Sequence, residues 1–218
     1  MRTILPLLLL LALPACKDDA DDTAPPTGDT DSNVDTECAA EALETVSAMV
    51  GTFGGSWEMF GLDAQDQPVV AMTWTDVATA TDPVAEAGRA YVSITDVMDT
   101  DAYGQMEQSW IEGVYIEDDC SVGVPFMEMD GEVTEMPWIE DDHVQYTTEV
   151  TDNDLWFFEN IDTSNFITGS HTTDKYVSFP DGVETHEITR TTHLEYDADG
   201  ETVVLDFTSL SGTHAKTE

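Results

Sequence analysis

Hydrophobic positions change their spacing repeatedly along this chain, and each change predicts a different element. From Ile4 to Leu13, "ILPLLLLLAL", they are continuous. From Lys17 to Glu37, "KDDADDTAPPTGDTDSNVDTE", they nearly vanish, with no aromatic residue and Val34 as the only large aliphatic. Such a segment cannot bury enough surface to fold and reads as a disordered acidic linker. In "ECAAEALETVSAMVG" Leu43, Val46, Met49 and Val50 recur at helical spacing, and Gly51 offers a stop. After that the period is two. Runs such as "PVVAMTWTDVATA", "GRAYVSITDVMD", "NFITGSHTTDKYVSF" and "ETVVLDFTSLSG" are rich in Val, Thr, Ile and aromatic residues. "DADG" at 197–200 and "PDG" at 180–182 mark turns, because Asp and Gly tolerate the backbone angles required.

The pattern predicts an all-β fold: one short helix, then an antiparallel meander of about 8–11 strands. Closure into an up-and-down β-barrel removes exposed edges, and a two-sheet β-sandwich is the alternative. The expected organisation is a leader over 1–15, a linker over 16–37 and a single β domain over 38–218. Strand faces can also be assigned. In "VETHEITRTTHLEYD" His186, Ile188, Arg190, Thr192, Leu194 and Tyr196 share the more apolar face. Arg190 is therefore predicted to point inward, where a guanidinium needs partners.

The apolar run Ile4–Leu13 is about 10 residues, against roughly 20 for a membrane span. With Arg2 before it and small residues at its end, it reads as a secretory signal peptide. Its end, Leu13-Pro14-Ala15-Cys16, resembles the lipobox of bacterial lipoproteins, with Pro14 a departure from the usual Ala or Ser. The resemblance implies cleavage before Cys16 and lipid, palmitate among its acyl chains, on that cysteine. Several acyl chains hold a protein stably at a membrane where one would not. Lys17 directly after the cysteine fits the sorting pattern of outer-membrane lipoproteins, and "KDD" resembles a surface-export signal.

Composition narrows the partners. The chain carries 46 acidic and 6 basic residues, a net charge of -40. That repels nucleic acid and anionic lipid alike, so any membrane attachment has to be covalent. Acidic, Lys-poor surfaces suit salty surroundings, where screening relieves self-repulsion. At 41% hydrophobic the chain can still build a core. If Cys16 carries lipid, Cys38 and Cys120 remain. An exported protein meets oxidising conditions, so they form either a disulfide or two buried thiols.

Three short motifs carry a second resemblance. Gly55-Ser56-Trp57 opens the first strand after the helix, Thr173-Asp174-Lys175-Tyr176 follows late in the chain, and Arg190 lies one strand later. Together they resemble the G-x-W, T-D-Y and Arg motifs of the lipocalins, small ligand-binding barrels within the calycins. The match covers about residues 45 to 212, with an inserted Lys in the second motif and a strand rather than a helix after Arg190. It implies a lipocalin-like barrel in which Gly55, Trp57, Thr173, Asp174 and Arg190 form the base, Arg190 packing over Trp57.

Candidate chemistry is sparse. Asp96, Asp99, Asp101 and Glu107 invite a calcium loop, but Tyr103 and Trp110 fall where the EF-hand needs ligands. His193 and Glu195 share a strand face and offer two zinc ligands without a third. Met127 and Met129, with Met136 nearby, suggest soft ligands for copper, although methionine more often fills an interior. No metal or cofactor is therefore assigned beyond the lipid. No catalytic residue is named, because the nucleophile, zinc-protease and phosphate-loop motifs are missing; the reading leans away from an enzyme without excluding one. The leading expectation is a lipid-anchored envelope protein holding a small apolar or amphipathic ligand, lined by Trp74, Trp110, Trp138, Trp156 and Phe158. The alternative is a filled barrel acting at the cell surface as an interaction or structural protein. Replacing Cys16 by Ser is expected to abolish incorporation of radiolabelled palmitate and shift the protein out of the membrane fraction; undiminished labelling refutes the lipobox.

Overall fold

A computed structural model describes residues 36–218, apart from Ala87, Asp141 and Glu159 and the side chains of Thr36, Glu37, Cys38, Glu140 and Trp156. The leader, Cys16 and the linker up to residue 35 lie outside the described residues. Helix α1 spans Thr36–Ser47. Its buried face is Ala39, Ala42 and Val46, which recur at helical spacing. Met49 and Val50, expected to extend the stripe, fall in the turn after it. Small alanines let α1 sit close to the strands beneath.

The strands follow as β1 (Gly51–Leu62), β2 (Pro68–Ala80), β3 (Val84–Glu86), β4 (Arg89–Thr100), β5 (Gly104–Ile116) and β6 (Val122–Met129). Then come β7 (Glu132–Glu135), β8 (Trp138–Glu140), β9 (His143–Glu149), β10 (Phe166–Ser178), β11 (Thr185–Ala198) and β12 (Glu201–Lys216). Among the described residues all belong to one 12-stranded sheet, in the order β7-β6-β5-β4-β2-β1-β12-β11-β10-β9-β8, with β3 paired to β4. Every pairing is antiparallel between strands close in sequence, except β1 with β12. The fold is thus all-β, one antiparallel up-and-down sheet curled as a half-barrel rather than a two-sheet sandwich; the expected closure is not completed, since among the described residues no ladder joins β7 to β8. Twelve strands exceed the upper expectation by one; β3, β7 and β8 have only 3 or 4 residues each, and β3 lies in none of the period-two runs. Strands that short carry too few residues to show a period.

The β1–β12 ladder joins two meander halves, which curl to face each other. Met127 of β6, Met136 and Val144 of β9 form one buried cluster where the halves meet. Lys175 of β10 reaches Glu112 of β5 at 2.8 Å across the inside. Two plugs close the ends. Near the start of β1, Ala42 and Val46 of α1 pack on Phe53, Ala80, Val92 and Val114. Near its end, the segment after β9 brings Val150, Leu155, Phe158 and Ile161 onto Leu62, Leu194, Tyr196 and Phe207. Phe158, expected to line a ligand site, meets Phe207 edge-to-face at 5.6 Å inside that plug instead. The 3₁₀ turns over Asp152–Phe157 and Thr163–Asn165 that carry it have no sequence period to announce them.

The turn at 197–200 forms as read: Asp199 and Gly200 both have positive φ, and Asp197 accepts a hydrogen bond from the Gly200 amide at 3.0 Å. Cys120 is disulfide-bonded, and the side chains of Cys16 and Cys38 lie outside the described residues. Gly212 of β12 stands opposite Trp57 of β1, and the indole lies where a Cβ at Gly212 would be. Gly212→Ala is expected to cost about 2 kcal/mol in urea unfolding by overpacking that ring; unchanged stability would mean that Trp57 has room to move aside.

Candidate functional site: a charged cavity inside the barrel

Strand alternation builds the site. On β2 the inward residues are Met72, Trp74, Asp76, Ala78 and Ala80, and on β4 they are Ile94, Asp96, Met98 and Thr100. Small side chains alternate with large ones, and the space they leave is a cavity of about 630 Å³. Three of the five expected lining aromatics, Trp74, Trp110 and Trp138, border it. Trp57 does too, while the Trp156 side chain lies outside the described residues. Methionine lines it at Met49, Met72, Met98, Met106, Met127 and Met136. Unbranched thioethers give an adaptable apolar wall.

The same alternation that turns Met72 and Met98 inward turns Asp76 and Asp96 inward. Asp76 is only 6% exposed and Asp96 only 3%. Each keeps one oxygen on a neutral donor: Trp57 Nε1 donates to Asp76 Oδ2 at 2.8 Å, and Gln108 Nε2 donates to Asp96 Oδ2 at 3.2 Å. The other oxygens, Asp76 Oδ1 and Asp96 Oδ1, have no hydrogen-bond partner among the described residues, and neither has His214 Nε2. His214 Nε2 lies 3.3 Å from Asp76 Oδ1, close enough for attraction but not aligned as a hydrogen bond. Burial, reinforced by the charge of Asp76, pushes the Asp96 carboxyl up to about 6; Gln108 and His214 work the other way.

Across the cavity one charge pair, Glu112 with Lys175, is complete. Burial opposes ionisation of both Glu112 and Lys175, but their mutual attraction and hydrogen bond outweigh it. The carboxyl is held below its ordinary range and the ammonium above its own. His186 Nε2 is 2.7 Å from Glu184 Oε1, and burial lowers the imidazole's pKa, with Lys175 adding to the effect. His171, whose Nδ1 is 2.8 Å from Thr192 Oγ1, is pushed down to about 3 by burial and then by Arg190, so it is neutral at pH 7.

The motif residues have distinct places. Gly55 stands between Asp76 on β2 and His214 on β12 in the same row. A Cβ there would lie 2.7 Å from the His214 ring and 2.8 Å from Asp76 Oδ1. Its missing side chain is the space in which those two groups approach. Trp57 stacks on Trp74, with centroids 5.9 Å apart. Thr173 and Asp174 lie inside β10 rather than in a loop and point to opposite faces. Thr173 is buried and accepts from Arg190 Nε at 3.3 Å, whereas Asp174 accepts from Gln145 Nε2 at 2.7 Å. Arg190 borders the cavity as its strand face predicts.

The metal candidates are not brought together. Asp96 faces in, while Asp99, Asp101 and Glu107 are exposed. Met127 and Met136 meet, but Met129 is not part of their cluster. His193 is on the outer surface, 2.8 Å from Asp206 and 3.6 Å from Glu195, which raise its pKa. Among the described residues no group of three His, Cys, Asp or Glu could hold a metal. From the sequence, Asp96 falls in a strand run and is weighed only as a calcium ligand, without assignment to the inward face, and nothing is singled out at Asp76. The missed signal was parity: Asp76 is in step with Met72 and Trp74, and Asp96 with Ile94 and Met98.

No family model matches the chain, and no curated protein matches it. One solved structure, a MaoC-like dehydratase, aligns over 83% of this chain and 82% of its own at 12% identity, with a TM-score of 0.18. So loose a superposition carries no argument about fold or activity.

Asp96 gives a signed pH prediction. Its folded value, about 6 against an ordinary 3.8, means that the folded state binds the proton more tightly than the unfolded chain. The resulting stability is fully present below pH 3.8 and is lost as pH rises through about 6. Asp96→Asn escapes the loss. It is expected to be more stable than the parent by roughly 2 kcal/mol at pH 7.5, a gain that shrinks toward pH 4. A gain of equal size at both pH values would show that Asp96 is not the titrating group.

Proposed function

We propose that this protein is a lipid-anchored envelope lipoprotein whose barrel binds a small amphipathic ligand. The single observation that carries the binding reading is the cavity of about 630 Å³, lined by tryptophan and methionine and furnished with a few buried polar groups. Pockets for small ligands are typically of roughly 300–1,000 Å³, mostly apolar, with sparse polar groups that fix orientation. A barrel whose only role was structural would gain by filling that space, since close packing is the more stable arrangement. The anchor at Cys16, the outer-membrane address and the lipocalin-like character of the barrel belong to the same proposal and rest on the sequence motifs alone.

A second reading, an enzyme on the same barrel, is favoured by one observation. Asp76, Asp96 and His214 converge in the cavity, and a carboxyl whose pKa is about 6 suits general acid–base work. The two readings separate in one experiment on residues 16–218 with Cys16→Ser, which removes the need for detergent. Trp57, Trp74 and Trp110 border the cavity, so a bound apolar dye is expected to quench intrinsic fluorescence saturably at one equivalent. No saturable binding of any acyl or aromatic probe refutes the binding reading. Chemical turnover of a bound compound, lost in Asp96→Asn, replaces it with the enzymatic one.

A further inference from the structure

We propose that the cavity takes an amphipathic amine, its protonated nitrogen seated between Asp76 and Asp96 and its apolar body against the tryptophan and methionine walls. The inference rests on the ligand-binding reading and names the chemical class of the ligand. It starts from the charge balance inside the barrel. Lys175 is spent on Glu112 at 2.8 Å, and Glu184, although its charge is not cancelled by a neutral imidazole, has a close partner in His186 at 2.7 Å. Arg190 donates to Thr173 and is engaged by a further interaction. Asp76 and Asp96 remain, on neighbouring strands, where Asp76 stands opposite Met98 and Asp96 opposite Ala78.

Trp57 and Gln108 each satisfy one oxygen of this pair, but both are neutral donors and cancel no charge. The two remaining oxygens are buried and unpartnered among the described residues. A buried carboxylate oxygen without a donor is costly, so the pair favours a ligand that supplies both N–H groups and positive charge. His214, 3.3 Å from Asp76 Oδ1, can compensate one carboxylate when protonated, and the other still lacks a cation. A fatty acid would place a third negative charge beside these two. An alcohol would satisfy an oxygen without neutralising it. A quaternary ammonium would bring charge without N–H donors. The indoles of Trp57 and Trp74 add aromatic faces that suit a cation.

Calorimetric titration of residues 16–218, Cys16→Ser, at pH 7.5 tests this with four probes of one chain length: decylamine, decanol, decanoate and decyltrimethylammonium. Decylamine is expected to bind at least about tenfold tighter than each of the others. The quaternary probe controls for attraction to the acidic surface, which acts on both cations. In Asp76→Asn/Asp96→Asn, which keeps an acceptor for Trp57 and Gln108, the preference for amine over alcohol is expected to fall to within about threefold. If the double variant does not fold, Asp96→Asn alone is expected to narrow the preference. Decanol or decanoate binding as tightly as decylamine overturns the amine proposal and leaves the ligand-binding reading standing. An amine preference that survives in the variants overturns the assignment to Asp76 and Asp96. Absence of binding by all four probes overturns both readings.

Discussion

The ladder between β1 and β12, from Phe53↔Lys216 to Met59↔Leu210, is the pairing on which the interior depends. Among the described residues it is the one strand ladder between strands far apart in sequence, and without it they form two separate meanders. The two glycines that matter most lie in this seam. Gly55 leaves room for His214 to approach Asp76, and Gly212 leaves room for the Trp57 ring. Closing such a ladder costs loop entropy before any contact rewards it, so it has to be supported from inside. Trp57 supports it by stacking on Trp74 and bonding Asp76.

The interior is a compromise between packing and charge. A Glu112–Lys175 pair spans from one half of the barrel to the other. Taking two ions out of water is expensive, and their attraction in a weakly screening interior returns that cost only when geometry is good. Here burial is outweighed, and both groups stay ionised. Asp96 is the opposite case: no cation among the described residues bonds to it, and burial raises its pKa. One side of the cavity is therefore settled and the other is poised. A poised charge beside tryptophan and methionine walls is where ligand chemistry is decided.

Much of the architecture was readable in the amino-acid pattern. Period two announced strands, helical spacing placed α1, and "DADG" announced a hairpin whose backbone angles match. The inward face of β11 followed from six residues at alternate positions. Asp96 did not stand out because acidic residues are so common in this chain that a cluster of them carries little information. Parity held the better answer, since a strand does not exempt an acid from alternation. Phe158 was misplaced for a different reason. It sits in an irregular segment, where periodicity carries no information about direction.

By itself the sequence determined that this chain is β, that its strands pair mainly with their neighbours, and which side chains share a face. Those are local properties, set by steric and hydrophobic alternation along a few residues. Only the tertiary structure decided that the two halves curl face to face, that their small and large side chains leave about 630 Å³ unfilled, and that Asp76 and Asp96 meet there beside His214. Volume and charge balance inside a barrel are sums over residues from distant strands, such as Asp76 with His214 and Glu112 with Lys175. They exist only once the β1–β12 ladder has brought the two halves together.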